Sequence, residues 1–591
     1  MTQNNFNSYN ARHIKAEDIA KSFVISNSFL KILENSNSIV LGARGCGKTT
    51  MMKMLTLPAL HSWGHKDAQK IRENLSFYSI YVSTDIYWDL KNQSFADQLS
   101  HIENLQNVIS RFSVNSSIFL AACETFKNII TYELCDSDSN LEIQLCDFLI
   151  NSWKLPKNTI PQLASVTDAI NERIDYVNQQ IQKLVFNKST NFEFPDYFFF
   201  DFASSLIKVI SKFEDIFSQK KKSWALCFDE LEFAPQWLQE QLYSSLRSRD
   251  QRILYKLSSS PILPSILEKR FTNESAPSVG NDFTLIKMWD QADEPDFIKN
   301  LINSYVIRNS PDVNYKNLFG SNEIYSKEGD SYIQGSEFHK EIKELHKKDI
   351  SFKEFLISKG INIEAIDFSK ENNDTVYRKI KPIVYYRNYF IMENDSRAVR
   401  FRTRKKASDL YYGIEVLTKI CDGNPRWLIS LLNDLFIYIS KNGDLNKVKQ
   451  TDEILRYSKR FLNVISNIPL DSNSSYTFKN FINKIGGYFK EEILGPIFKM
   501  DPLTTFIVDE DTEQDILILL EKGVAQGAFI IVNSNDEDLD FDLKGKRLKL
   551  SYLLYPIYYL PLRKYEGVQL KDCLHKKHKP NKPKDSQMKL F

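Results

Sequence analysis

Cysteine is scarce here and badly placed for cross-linking. The chain has 7 cysteines in 591 residues, scattered from Cys46 to Cys573 with no C-x-x-C pair. An odd count at wide spacing excludes a disulfide framework and points to a reducing cytosol. Long apolar runs are missing as well. No stretch approaches the roughly 18 residues that span a bilayer. The polar segment from Met1 to Lys15 has no apolar core of the kind a signal peptide needs. Nor does one sign of charge dominate: 77 Lys and Arg against 75 Asp and Glu leave a net charge of +2, so any surface for nucleic acid must be local. The rest is the composition of a soluble globular chain, whose length predicts roughly three to five domains.

Against this background one stretch carries chemistry. Ser38 to Leu41 reads as a short apolar strand, and Gly42, Ala43, Arg44, Gly45, Cys46, Gly47, Lys48 and Thr49 satisfy G-x-x-x-x-G-K-[ST] without departure, followed by Thr50. Glycine at three positions lets the backbone curl so that successive N–H groups converge on a polyphosphate. The helix expected from Lys48 aims its positive end at the same place. Lys48 has the reach for the β- and γ-phosphates, and the Thr49 hydroxyl suits Mg²⁺. The cofactors expected are therefore ATP and Mg²⁺. In the lead-in, Phe23 and Val24 are candidates for an adenine contact, with core packing as the competing reading.

Phe77 to Ser83, rich in β-branched and aromatic residues, predicts a second strand. From about Trp88 to Lys222 the pattern is helical, with almost no strand signal. Val166, Ile170, Ile174, Val177, Ile181 and Leu184 form a narrow seam, and Ser165 with Asp168 resembles a capping box. The seam suits an arm that docks a partner or a neighbouring subunit, or a helix packed on its own domain. Trp224 to Phe228 then runs into Asp229 and Glu230. A buried parallel strand is near-continuously apolar, and its C-terminal end is where α/β sheets place ligands. Asp229 is the candidate for Mg²⁺ through water, and Glu230 for orienting or deprotonating the attacking water. Pro235 opens a helix. Arg252 to Leu257 predicts a further strand, after which Ser259 is the candidate polar contact to the γ-phosphate or water, against a plain serine-rich turn. A short helix carrying Arg270 and a last strand from Phe283 to Trp289 complete the series.

This order of motifs resembles AAA+ ATPases. Gly423-Asn424-Pro425-Arg426 at the head of an apolar helix is similar to the sensor-2 element of the helical lid in Orc/Cdc6-type initiators. The resemblance implies that Arg426 reaches the γ-phosphate of its own subunit. It implies that Arg270 is the arginine finger offered to a neighbour's nucleotide, with Arg247, Arg249 and Arg252 as competitors. The chain resembles in particular the bacterial Orc/Cdc6-like AAA ATPases, some associated with phage defence. There is no LSGGQ-like helix of an ABC ATPase and no N-K-x-D element for guanine.

The implied fold class is α/β, an AAA+ P-loop core of parallel sheet flanked by helices, with large helical insertions, a helical lid and a C-terminal winged-helix-like domain. The expected divisions are 1–88 and 223–308 for the core, 89–222 and 309–404 for insertions, 405–450 for the lid, 451–570 for the winged-helix-like domain and 571–591 for a disordered basic tail. Arg397, Arg400, Arg402, Arg404, Lys405 and Lys406, followed by Tyr411 and Tyr412, suit DNA contact. A solvated or intersubunit face competes with that reading. A helix and β-ribbon after Thr512 suggest the winged helix, whose acidic loop (Asp536, Glu537, Asp538, Asp540, Asp542) would repel phosphates. Cys573, His575 and His578 are poor metal candidates in a lysine-rich tail. The tail ends in Gln587, Met588, Lys589, Leu590 and Phe591, which resembles the peptide that docks on bacterial sliding clamps. The function expected is a cytoplasmic ATPase, oligomeric, switching on DNA or a DNA-bound complex, with no membrane partner. The alternative is a nucleotide-gated scaffold that licenses an effector protein without DNA-coupled turnover.

Overall fold

The computed structural model describes residues 10–89, 104–134, 138–186, 194–219, 222–247, 252–325, 335–363, 371–402, 409–443, 445–470, 475–532 and 539–575. The chain divides into two compact units, Met1–Phe297 with Asp536–Asp542, and Ile298–Asn535 with Leu543–Phe591. The division falls inside the helix Pro295–Asn309, earlier than the core boundary expected at 308.

The first unit is built on five parallel strands: β1 (Asn37–Leu41), β2 (Phe77–Ser83), β3 (Ser223–Asp229), β4 (Ile253–Ser259) and β5 (Phe283–Lys287). Their spatial order is β2-β3-β4-β1-β5. Alternate residues serve opposite faces. Ile39, Leu41, Trp224, Leu226 and Phe228 join one apolar cluster. Val40, Ala225 and Cys227 join another, with Met51, Met52 and Met54 of the helix after the glycine loop. Covering both faces explains the continuous apolar strands. The segment expected to be helical is helical, as Leu105–Glu133, Ser139–Ser152, Leu163–Phe186 and Phe202–Phe217. The apolar seam packs within this unit: Val166 and Ile170 enter the sheet-facing cluster, while Val177, Ile181 and Leu184 pack with Leu105, Ile109 and Phe112. The docking-arm reading therefore gives way to self-packing. The helix starts at Leu163, whose N–H is capped by the Glu142 carboxylate at 3.0 Å, so Ser165 is inside it and not its cap.

Lys256 is among the polar residues buried on the strands. Lys256 on β4 donates to the carbonyls of Glu34 (2.7 Å) and Ser36 (2.6 Å) and to Ser38 Oγ (3.2 Å). Burial brings its pKa down to about 8.

The second unit is mainly helical, with a hairpin of β6 (Ile391–Asn394) and β7 (Val399–Phe401). It also holds a four-stranded sheet of β8 (Leu503–Ile507), β9 (Phe529–Ile531), β10 (Arg547–Leu550) and β11 (Glu566–Gln569), in the order β11-β8-β10-β9. The expected β9–β10 ribbon is present, enlarged by β8 and by β11, which runs parallel to β8. Between β9 and β10 the chain joins the first unit: Leu263 N–H donates to the Asp540 carbonyl at 3.0 Å, and Leu539 and Phe541 pack on the sheet-facing cluster. The acidic loop is thus no exposed wing tip at Asp540, which is buried; Asp536, Glu537 and Asp538 lie outside the described residues. The expected tail also starts too early, because Leu570–His575 is a helix with Cys573 and Leu574 buried. Tyr411 and Tyr412 are core residues, Tyr411 donating to the Leu560 carbonyl at 2.7 Å, so they offer no stacking surface.

Two buried ion pairs hold this unit. Arg387 pairs with Asp349 at 2.6 Å, both fully buried. Asp422, at φ +49°, pairs with Lys549 and accepts from Ser551 Oγ (2.8 Å) and Tyr552 N–H (2.7 Å). Gly423 and Asn424 follow directly, and the Asn424 side chain caps the helix Pro425–Asn442 that carries Arg426. The start of that helix is therefore bolted to β10.

Two outcomes are expected. Asp422→Ala strands the Lys549 ammonium and should cost about 3–5 kcal/mol, read as a lower denaturant midpoint. Lys256→Met removes three hydrogen bonds and should lower the melting temperature. In the wild type the folded-state pKa lies below the usual 10.5, so from about pH 8 upward the unfolded chain holds more protons and stability gains with pH. The gap between the two proteins should widen from pH 8 to pH 10, and a constant gap would refute the assignment.

Candidate functional site

Four strand ends meet at the C-terminal edge of the first sheet. After β1 the backbone turns at Gly42, whose N–H donates to the Ser259 carbonyl at 3.2 Å. A Cβ at Gly42 would lie 2.5 Å from Cys46 Sγ and 2.7 Å from Met288 Cβ, so no side chain fits. Gly45 (φ +87°) and Gly47 (φ +105°) take the left-handed conformation that glycine favours. The helix Lys48–Met54 has Gly47 at its N-cap and no side-chain cap. Its first N–H groups therefore remain for a ligand, as the sequence spacing predicts.

Lys48 is buried. Its ammonium donates to the Gly42 carbonyl at 2.5 Å and lies 4.0 Å from Glu232 Oε1. Burial opposes its charge, but Cys46 and the carboxylates of Glu232, Asp229 and Glu230 outweigh that and raise its pKa. No nucleotide motif marks Glu232, although D-E-L-E places a further acid three residues after Asp229. Burial raises its pKa despite Lys48, and its Oε2 has no hydrogen-bond partner.

Asp229 ends β3 and is buried. Its Oδ1 accepts from Ser258 Oγ at 2.7 Å and its Oδ2 from the Tyr81 hydroxyl at 3.3 Å. Burial, then the Asp229 charge, push the Tyr81 hydroxyl well above its usual pKa. Ser258 Oγ also accepts from the Glu230 N–H at 3.1 Å. The polar contact on β4 is therefore Ser258. Ser259, the residue expected there, contributes its carbonyl to Gly42, while its hydroxyl is buried beside Tyr243 without completing a hydrogen bond of ordinary geometry. Glu230 is left-handed (φ +58°), and its carboxylate meets Arg12 at 3.4 Å.

Glu232 Oε2, Ser259 Oγ and Thr84 Oγ1 are all buried without a partner, around the strand ends. Each such atom costs about 1–3 kcal/mol. Three of them beside an uncapped glycine loop fit a site completed by a phosphate ligand, a divalent cation and their water. Thr49 and Asp229 are the residues that would hold the cation.

The arginines separate. Arg270 pairs with Glu240 at 2.5 Å and shares with Arg247 a cleft of about 460 Å³, also lined by Ser244, Asn273, Ser275 and Pro277. Arg252 instead donates to Ser211 Oγ at 3.1 Å, on the helical segment. Arg249 lies outside the described residues. In the second unit, Arg426 sits in the first turn of its helix. Arg397 and Arg400 are exposed on the β6–β7 hairpin, Arg400 pairing with Glu393 at 3.1 Å, while Arg402 is turned toward the Asn388 carbonyl. Arg404, Lys405, Lys406, His578 and Gln587 to Phe591 lie outside the described residues.

A family model described as ORC-CDC6-like matches residues 4–570. No curated protein matches the chain. Among the described residues no helix is long and apolar enough to cross a membrane.

The two serines make a contrast that can be measured. Ser258→Ala removes a buried hydrogen bond to a carboxylate and should cost about 1.5–3 kcal/mol, together with loss of nucleotide-dependent stabilisation. Ser259→Ala removes a buried hydroxyl without a partner and should leave the unfolding midpoint unchanged or raised. Equal losses in denaturant titrations would contradict the geometry.

Proposed function

The chain belongs to the ORC-CDC6-like family of AAA+ ATPases, and from that premise we propose that it binds and hydrolyses ATP with Mg²⁺ as an assembly-dependent switch on DNA. The observation that carries the reading is the convergence of Asp229, Ser258 and Glu230 on the edge of the sheet that bears the glycine loop.

Lys48 exchanges the Gly42 carbonyl and Glu232 for phosphate oxygens. Thr49 and Asp229 would hold Mg²⁺, with Ser258 and Tyr81 orienting the Asp229 carboxylate. The bound cation supplies charge neutralisation on the transferred phosphoryl group. Glu230 orients the attacking water. Arg270, in its cleft with Arg247, is the finger offered to a second copy of the chain, which makes turnover depend on assembly. Arg426 is the sensor-2 candidate.

For DNA, the exposed Arg397 and Arg400 sit on a two-stranded ribbon, a form that a major groove admits. The final residues Gln587 to Phe591 are assigned to a sliding clamp, and the setting is the cytosol.

Hydrolysis should be lost in Glu230→Gln with ATP affinity retained, and both should be lost in Lys48→Ala. Arg270→Ala should lower kcat without weakening ATP binding. DNA should stimulate wild-type turnover and should stimulate Arg397→Ala/Arg400→Ala less, in steady-state assays at fixed salt. If turnover is indifferent to DNA and Glu230→Gln retains biological function, the scaffold reading replaces this one.

A further inference from the structure

Glu230 meets a residue that no nucleotide motif contains. Arg12 Nη2 donates to the Thr84 carbonyl at 2.8 Å, and Arg12 Nη1 donates to Glu230 Oε2 at 3.4 Å. Thr84 follows β2, and its N–H donates to the Asp229 carbonyl at 3.2 Å. One guanidinium thus bridges the end of β2 and the carboxylate after β3. The main chain of Glu230 is fixed by Ser258, so its side chain is the movable part.

Arg12 is itself held by the glycine-loop helix. The Lys53 ammonium donates to the carbonyls of Ala11 (2.9 Å), Arg12 (3.2 Å) and Ile14 (2.8 Å). Lys53 is on the same seven-residue helix as Lys48 and Thr49. Three carbonyls on one ammonium make the short segment around Arg12 follow that helix. A displacement of that helix would therefore be carried to the guanidinium on Glu230.

We propose that Arg12 is a positioning residue for ATP hydrolysis, holding the Glu230 carboxylate away from the attacking water until nucleotide shifts the loop helix. This deepens the reading of Glu230 given above and rests on it. A carboxylate whose lone pair is directed at a guanidinium is turned from its water. Arg12 and Glu230 keep side-chain exposures of 38% and 25%, so the pair is partly solvated and weak enough to open.

The test is steady-state ATP hydrolysis by the full chain, saturated with Mg²⁺, with melting temperatures as a check on folding. Arg12→Ala should raise kcat by up to about fivefold, the equivalent of a partly exposed ion pair, with KM unchanged. Arg12→Lys, which can still pair with the carboxylate, should fall between the two. Lys53→Met, which loosens the segment, should shift kcat in the same direction. Arg12→Ala placed on Glu230→Gln should change nothing. A fall in kcat, or no change, in a normally melting Arg12→Ala protein overturns this inference while leaving Glu230 in its role. Normal hydrolysis by Glu230→Gln overturns the reading of Glu230 and this inference with it.

Discussion

Ser258 Oγ donates to Asp229 and accepts from the Glu230 N–H, and the chemistry of the sheet edge depends on that single hydroxyl. It fixes two consecutive residues, Asp229 by its side chain and Glu230 by its main chain. The hydroxyl is there because β4 lies between β1 and β3. Pairing of Phe228 with Leu257 puts the next residue of each strand side by side, so Asp229 stands next to Ser258. The same insertion lets the Ser259 carbonyl take the Gly42 N–H. One strand thus ties the glycine loop to the acidic strand, and a slip of one residue would turn both contacts to the opposite face.

The rest of the first unit keeps this edge rigid. The sheet has an apolar cluster on each side, and the long helical segment covers one of them instead of reaching outward. In the second unit rigidity comes from charge placed inside. The Asp422 carboxylate takes three donors directly before the Arg426 helix, and Arg387 is enclosed with Asp349. Buried pairs of this kind add little net stability over apolar residues, but breaking one partner is costly. They fix geometry, and here the geometry fixed is the start of the helix that the resemblance implies for sensor 2.

What was readable in the sequence was what local spacing encodes. Gly42, Gly45 and Gly47 announce a tightly curled loop, and the apolar run into Asp229 announces a buried parallel strand; both are found. What needed coordinates was partnership. Arg12 and Glu230 are 218 positions apart, and neither periodicity nor motif links them. The choice between Ser258 and Ser259 depends on strand register, which composition does not report. The seam from Val166 to Leu184 was correctly apolar, yet periodicity says only that a face is buried and not against what. The arginines followed the same rule: density in sequence marked Arg397 to Lys406, but Arg402 is turned inward and Tyr411 and Tyr412 belong to the core.

The resting charges of the site follow one pattern. Each cation is shared between a main-chain carbonyl and a carboxylate: Lys48 between Gly42 and Glu232, Arg12 between Thr84 and Glu230. A buried ammonium without such partners would be prohibitive, so these contacts let the loop stay folded without ligand. They must also yield to one. At 4.0 Å, with burial already disfavouring its charge, Glu232 holds Lys48 loosely, and the Gly42 carbonyl is a neutral acceptor. A polyphosphate carries more negative charge than both and meets uncapped N–H groups beside them. On the proposed function the balance favours release of Lys48 to the phosphates, and the more solvated Arg12–Glu230 pair is the one that would respond to a shift of the helix that Lys53 grips.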